Sequence, residues 1–111
     1  MRAIEIRETG GPDVLLVVDV PDPVPGPGEL LVRVEAAGIN FIDTYFRSGL
    51  YPRELPYVAG AEGAGVIEQV GPSVTEFCAG QRVAWATGTG TYAEKAVVPS
   101  HVAVAVPDGV P

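Results

Sequence analysis

Five polar side chains that can do chemistry fall within Gly38–Pro52, GINFIDTYFRSGLYP: Asn40, Asp43, Tyr45, Arg47 and Tyr51. A tyrosine titrates near pH 10, so Tyr45 and Tyr51 keep their O–H donors at neutral pH. Donors aimed at an oxygen that gains negative charge during a reaction lower its barrier. Asn40 can donate and accept, which suits recognition of a carboxamide. The same run also reads as an amphipathic helix. Asn40 can cap it, Asp43 stands at the third helical position near the free N–H groups, and Gly49 can end it. Phe41, Ile42, Tyr45 and Phe46 share a face at helical spacing, so Phe41, Ile42 and Phe46 are expected to be buried. Asp43 and Arg47 are four apart and can pair, though an exposed pair stabilises by only about 0.3–0.5 kcal/mol. From the residues alone, the structural reading is sufficient.

The chain that must position this run has 111 residues, enough for one domain with a core and not for two. Apolar residues make up 47%, a globular composition. Gly (14) and Pro (11) are frequent, which favours short strands joined by turns over long helices. Strands are expected at 1–7, with Ile4 and Ile6 on one face, and at 14–20, 30–37, 63–70, 82–86, 91–98 and 102–106. In 30–37, Leu30, Val32, Val34 and Ala36 point one way, and Leu31, Arg33 and Glu35 the other. Four prolines in alternate positions make Pro21–Glu29 an extended surface loop; a Pro-rich recognition ligand is the other reading. Six to eight short strands with one short helix point to a mainly-β barrel or sandwich.

The formal charge is −7, from 7 Lys+Arg against 14 Asp+Glu, so partnership with nucleic acid or an anionic membrane is not expected. Cys78 is the single cysteine, which precludes an internal disulfide and makes a cytoplasmic protein the default. No apolar run approaches a membrane span, and the charged start MRAIEIRETGG lacks a signal-peptide core.

Two glycine patterns need separating. GTGTYA, Gly88–Ala93, fits G-x-G-x-x-A with Asp108 beyond it, but AEKAVVPS comes next and reads as a strand, not the helix a dinucleotide fingerprint requires. GAEGAGVIEQVG is instead G-x-E-x-x-G-x-x-x-x-x-G, with Gly60, Glu62, Gly65 and Gly71. LPYVAGAEGAGVIEQVG and AGQRVAW stand in the order found in the medium-chain dehydrogenase/reductase superfamily. GINFIDTYFRSGLYP closely resembles the corresponding segment of its zinc-independent NADPH:quinone oxidoreductases, and GTYAEKAVVPSHVAVAVPDGV resembles their last strands before the cofactor domain.

That resemblance covers essentially the whole chain. It implies a mainly-β, GroES-like barrel with one or more short helices over 1–111, on the substrate side of a cleft. The family's second domain, a Rossmann fold that binds NADPH, has no counterpart here. An N-terminal fragment is therefore expected, inactive alone and exposing apolar surface, from a full-length enzyme that is a homodimer. The resemblance implies that Tyr45 and Tyr51 face a quinone or other electrophilic carbonyl as catalytic donors. It also implies that Asn40, Phe41, Asp43 and Tyr45 lie on the cofactor side.

Zinc-dependent relatives carry a cysteine where this chain has Asn40 and a histidine where it has Ala61. With one cysteine and one histidine, no zinc site is expected. His101 is expected at the surface, at the start of a strand. Glu62 reads as a hydrogen-bonded acid holding its loop, with a role in proton transfer as the alternative. The competing functions are a zinc-independent enoyl or enone reductase domain and a non-catalytic GroES-like binding module.

Overall fold

The runs of aliphatic and β-branched residues form eight strands, with one α-helix, in the computed structural model, which describes residues 1–111. The elements are β1 Arg2–Ile6, β2 Leu15–Asp19, β3 Glu29–Gly38, α1 Phe41–Ser48, β4 Tyr57–Val58, β5 Glu62–Val70, β6 Arg82–Trp85, β7 Lys95–Pro99 and β8 Ala103–Ala105. They make two antiparallel sheets, ordered β2-β1-β4 and β7-β3-β5-β6-β8. The mainly-β, GroES-like expectation holds.

Residues ahead of β7 tie the sheets together. Ala93 bridges to Ala3, Glu94 N–H donates to Arg2 O at 3.1 Å, and Val34 N–H donates to Glu94 O at 2.9 Å. This crossing corrects the strand expected at 91–98. Its first half is drawn over to β1, so β7 begins only at Lys95. The strand expected at 102–106 is also shorter. After Pro99 the chain turns through a 3-10 segment, Ser100–Val102, and only Ala103–Ala105 pair with β6. His101 is exposed on that turn rather than at a strand start. The proline-rich segment forms neither helix nor strand over 21–26, Pro25 is buried, and its end is closed by Gly26 N–H donating to Glu29 Oε1 at 2.7 Å.

The main core gathers Leu30, Val32, Ile67, Val83, Trp85, Ala96 and Val98. Each large apolar side chain there stabilises the fold by about 1.5–3 kcal/mol. Strict alternation fails in β3, where Leu31 is buried beside Leu30 and Val32. The pairing with β5 shifts register between Leu31 and Val32, where Glu68 of β5 is the extra residue. A second shift, between Val34 and Ala36, brings the β3 backbone close to β5. A Cβ on Gly65 would run into the Arg33 carbonyl and reach Val32 Cγ1 at 2.9 Å. A smaller core of Ile6, Val14 and Ala59 lies under the three-stranded sheet, with Tyr57 and Tyr92 packed against it.

Candidate active site

Helix α1 forms where expected. Asn40 is its extended N-cap, and Asn40 N–H donates to Asp43 Oδ2 at 2.9 Å. Gly49, at φ 87° in the left-handed region, ends it. The chain then folds back, with Tyr51 N–H donating to Tyr45 O at 3.2 Å. That turn sets Tyr51 edge-on to Tyr45 (centroids 5.2 Å) and to Phe46 (5.9 Å), while Phe41 meets Tyr45 at 5.4 Å. Such pairs add about 0.5–1.5 kcal/mol each beyond burial. The Arg53 guanidinium caps the row, 3.9 Å from the Phe46 centroid and 5.1 Å from that of Tyr57.

The expected burial of this face is corrected. No residue of α1 is buried; Phe41 is 75% and Ile42 40% exposed, and Phe46 is half-buried. The helix follows the end of β3 and contributes to neither core, so its aromatic row lines the surface.

The Asp43–Arg47 pair that the spacing allows does not form, because each side chain has another partner. Asp43 Oδ2 accepts the Tyr92 hydroxyl at 2.9 Å as well as the Asn40 N–H. Arg47 Nε donates to Gly10 O at 3.2 Å, and Gly10 N–H donates to Arg47 O at 2.9 Å. Polar contacts at the two ends therefore hold α1, each stabilising by about 0.5–3 kcal/mol, with bonds to the carboxylate at the upper end. Beneath the helix, a cavity of about 140 Å³ separates it from Ile6, Leu15 and Ala59.

The four tyrosines differ in what their hydroxyls do. Tyr45 and Tyr51 lie toward the surface, and neither hydroxyl bonds to a protein atom. The Tyr57 hydroxyl is buried without a partner. That of Tyr92 is engaged by Asp43 and lies 3.3 Å from Gly38 O.

Burial, then the hydrogen bond and charge of Asp43, push the Tyr92 phenol up to about 12, and burial raises Tyr57 as well. Unfolded tyrosines ionise near pH 10. The stability linked to Tyr92 is therefore fully present below about pH 10 and is lost as pH rises toward 12. Urea midpoints should fall across that window, and Tyr92→Phe should flatten the fall, leaving the smaller part due to Tyr57.

The pairing of Gly38 with Glu62 sets Asn40 and Ala61 at the same end of the β3–β5 pair. Glu62 lies across Gly38, in the space a Cβ there would need, and takes no hydrogen bond from the chain. It packs over the strand end rather than bonding its loop, contrary to the hydrogen-bonded expectation. No three His, Cys, Asp or Glu side chains cluster. Beside Glu62, the outer face of β3, β5, β6 and β8 carries Ala36, Ala64, Ala84 and Val104 around an open apolar trough of about 610 Å³.

The structure thus gathers Asn40, Phe41, Asp43, Tyr45 and Tyr51 on one helix and its following turn. Tyr92 is the addition that sequence reasoning missed. It belongs to GTGTYA, which runs as a loop into β7, so that a strand and not the helix of a dinucleotide fingerprint follows it. Nothing local marks it, since its partner is 49 residues away.

A family described as the alcohol dehydrogenase GroES-like domain matches residues 26–108. The chain belongs to the alcohol dehydrogenase GroES-like domain family. A quinone oxidoreductase of Pseudomonas aeruginosa is 50% identical to this GroES-like domain over 98% of the chain and 34% of its own length. A mycobacterial protein solved in complex with NADPH is 55% identical, with a TM-score of 0.97 over the whole chain and 35% of its own. A 2-haloacrylate reductase of a Burkholderia species is 40% identical over 96% of the chain and 34% of its own length. The GroES-like domain thus sits in an oxidoreductase family of the medium-chain dehydrogenase/reductase superfamily, and spans about a third of the length of the curated relatives it matches. None of its helices is long and apolar enough to cross a membrane.

Proposed function

We propose that residues 1–111 form the substrate-side domain of an NADPH-dependent quinone reductase. The observation that carries this reading is the edge-on pair of tyrosine rings, Tyr45 and Tyr51, whose hydroxyls no protein acceptor engages. They are free to donate to a carbonyl oxygen as it gains charge. NADPH, when bound, supplies the hydride. Asn40, half-buried between the exposed Ile39 and Phe41, fits a flat heteroaromatic ring that bears a carboxamide. In this proposal Asn40, Phe41 and Tyr45 line the nicotinamide side, and Tyr45 and Tyr51 orient the quinone. The carboxylate of Asp43 is already engaged by Tyr92 and the Asn40 N–H, so its part on the cofactor side is to hold Asn40.

The reaction we propose needs no zinc. Asn40 and Ala61 offer an amide and a methyl group at the β3–β5 end, where a ligand set would need thiolate or imidazole. Nucleotide binding is assigned to a Rossmann domain within the remaining two thirds of the relatives' length, and the full-length protein to a cytoplasmic homodimer. A second reading, reduction of an electron-poor alkene, is favoured by the 40% identical 2-haloacrylate reductase. The test is NADPH oxidation by the full-length protein, with zinc measured in the same sample. The expected result is faster turnover of 1,4-benzoquinones than of 2-haloacrylates or enones, with zinc well below one per chain. Faster alkene turnover would favour the second reading. No turnover of any of them would leave a binding module, and stoichiometric zinc would overturn the ligand argument.

A further inference from the structure

We propose that Tyr92 is a positioning residue of this site, acting through Asp43 to set where Asn40 and the aromatic row of α1 stand; this rests on the reading of α1 as the catalytic wall. One hydroxyl links three parts of the chain. It donates to Asp43 Oδ2 in the first turn of α1 at 2.9 Å and lies 3.3 Å from the carbonyl of Gly38, at the end of β3. Asp43 Oδ2 in turn receives the backbone N–H of Asn40 at 2.9 Å. The relay runs from Tyr92 to Asp43 to Asn40, and Tyr45 stands two residues after Asp43 on the same short helix.

The anchor behind the relay is rigid. Tyr92 N–H donates to Ala59 O at 2.9 Å, and Tyr92 O accepts the Ile4 N–H at 2.8 Å, so its backbone is fixed between two segments. Its ring packs on the core of Ile6, Val14 and Ala59. Gly60 lies so close beneath that a Cβ there would collide with Thr91 and approach Tyr92 N at 2.9 Å. The helix, by contrast, buries no side chain and has a cavity beneath it. Its N-terminal end is therefore located by this hydroxyl rather than by packing, and removing one oxygen atom should let the end drift.

The experiment compares Tyr92→Phe, Tyr57→Phe and Asp43→Asn in the full-length protein. Tyr57→Phe makes the same atomic change at a buried hydroxyl that has no partner. Misplacement by a fraction of an ångström to one ångström costs up to about a hundredfold in rate. Tyr92→Phe is expected to lower kcat roughly tenfold with little change in KM for the quinone, and to speed hydrogen exchange at the Asn40 amide. Tyr57→Phe should match the parent in both. The Tyr92→Phe, Asp43→Asn double variant should be no slower than the slower single variant, because both break one relay.

Parental kcat and Asn40 exchange in Tyr92→Phe overturn the proposal. So does a lowered Tm with parental kcat, which would be a merely structural role, and so does full additivity in the double variant. Tyr45→Phe and Tyr51→Phe, run alongside, separate the underlying reading. If either is slow and Tyr92→Phe is parental, only the role of Tyr92 fails. If Tyr45→Phe and Tyr51→Phe are both parental, the catalytic assignment of α1 and its following turn fails, and this proposal with it.

Discussion

Replacing Tyr51 by phenylalanine in the full-length protein is expected to slow quinone turnover about a hundredfold, and Tyr45→Phe to act in the same direction. Both hydroxyls lack a protein acceptor, so neither substitution leaves an orphaned partner behind. The rings remain, and with them the edge-on contacts from Phe41 through Tyr45 and Tyr51 to Phe46. What is lost is a donor whose bond strengthens as the oxygen charges. The loss should therefore appear in kcat more than in KM. Steady-state kinetics on the two variants decide the matter. Parental turnover in both would remove the tyrosines from the reaction. A raised KM with unchanged kcat would make them uniform binding groups.

Gly65→Ala is expected to destabilise the protein by about 3 kcal/mol, at the upper end of what one added methyl group costs in a packed interior. The obstacle is the Arg33 carbonyl, a backbone atom in the paired strand, which cannot rotate away as a side chain could. Relief would require prising β5 from β3, and β3 carries Leu30 and Val32 into the main core. Urea denaturation of parent and variant measures the difference. A change below about 0.5 kcal/mol, the ordinary range of a surface substitution, would mean that the strands separate without cost.

Much of this is legible in the residues. Asn40, Asp43 and Gly49 mark the bounds of α1, because capping is a local property. The failure of the dinucleotide fingerprint is legible in the strand-like alternation of AEKAVV after the glycines. Three features are not legible. The exposure of α1 escapes the pattern because an apolar face at helical spacing says nothing about which neighbour it meets; here Phe41 and Ile42 face outward. The Asp43–Arg47 pair is displaced by Tyr92 and Gly10, partners far away in sequence. The two-residue strand β4 depends on its pairing with β1, and the late start of β7 on contacts at Ala3–Ala93 and Ile4–Tyr92, none of which a local pattern encodes. The roles of Tyr45 and Tyr51 come from resemblance; spacing alone supports only a helix.

The manner in which α1 is attached has a consequence for how such a domain can diversify. Its outward side chains touch neither of the two cores, and one of its attachments is a backbone bond, Gly10 N–H to Arg47 O. Exchanging Phe41, Ile42, Tyr45 or Ser48 changes the chemistry offered at the surface while the barrel keeps its packing. Mutational drift can therefore vary the surface of this helix with little risk of unfolding. The barrel then serves as a constant chassis and the helix as its interchangeable face.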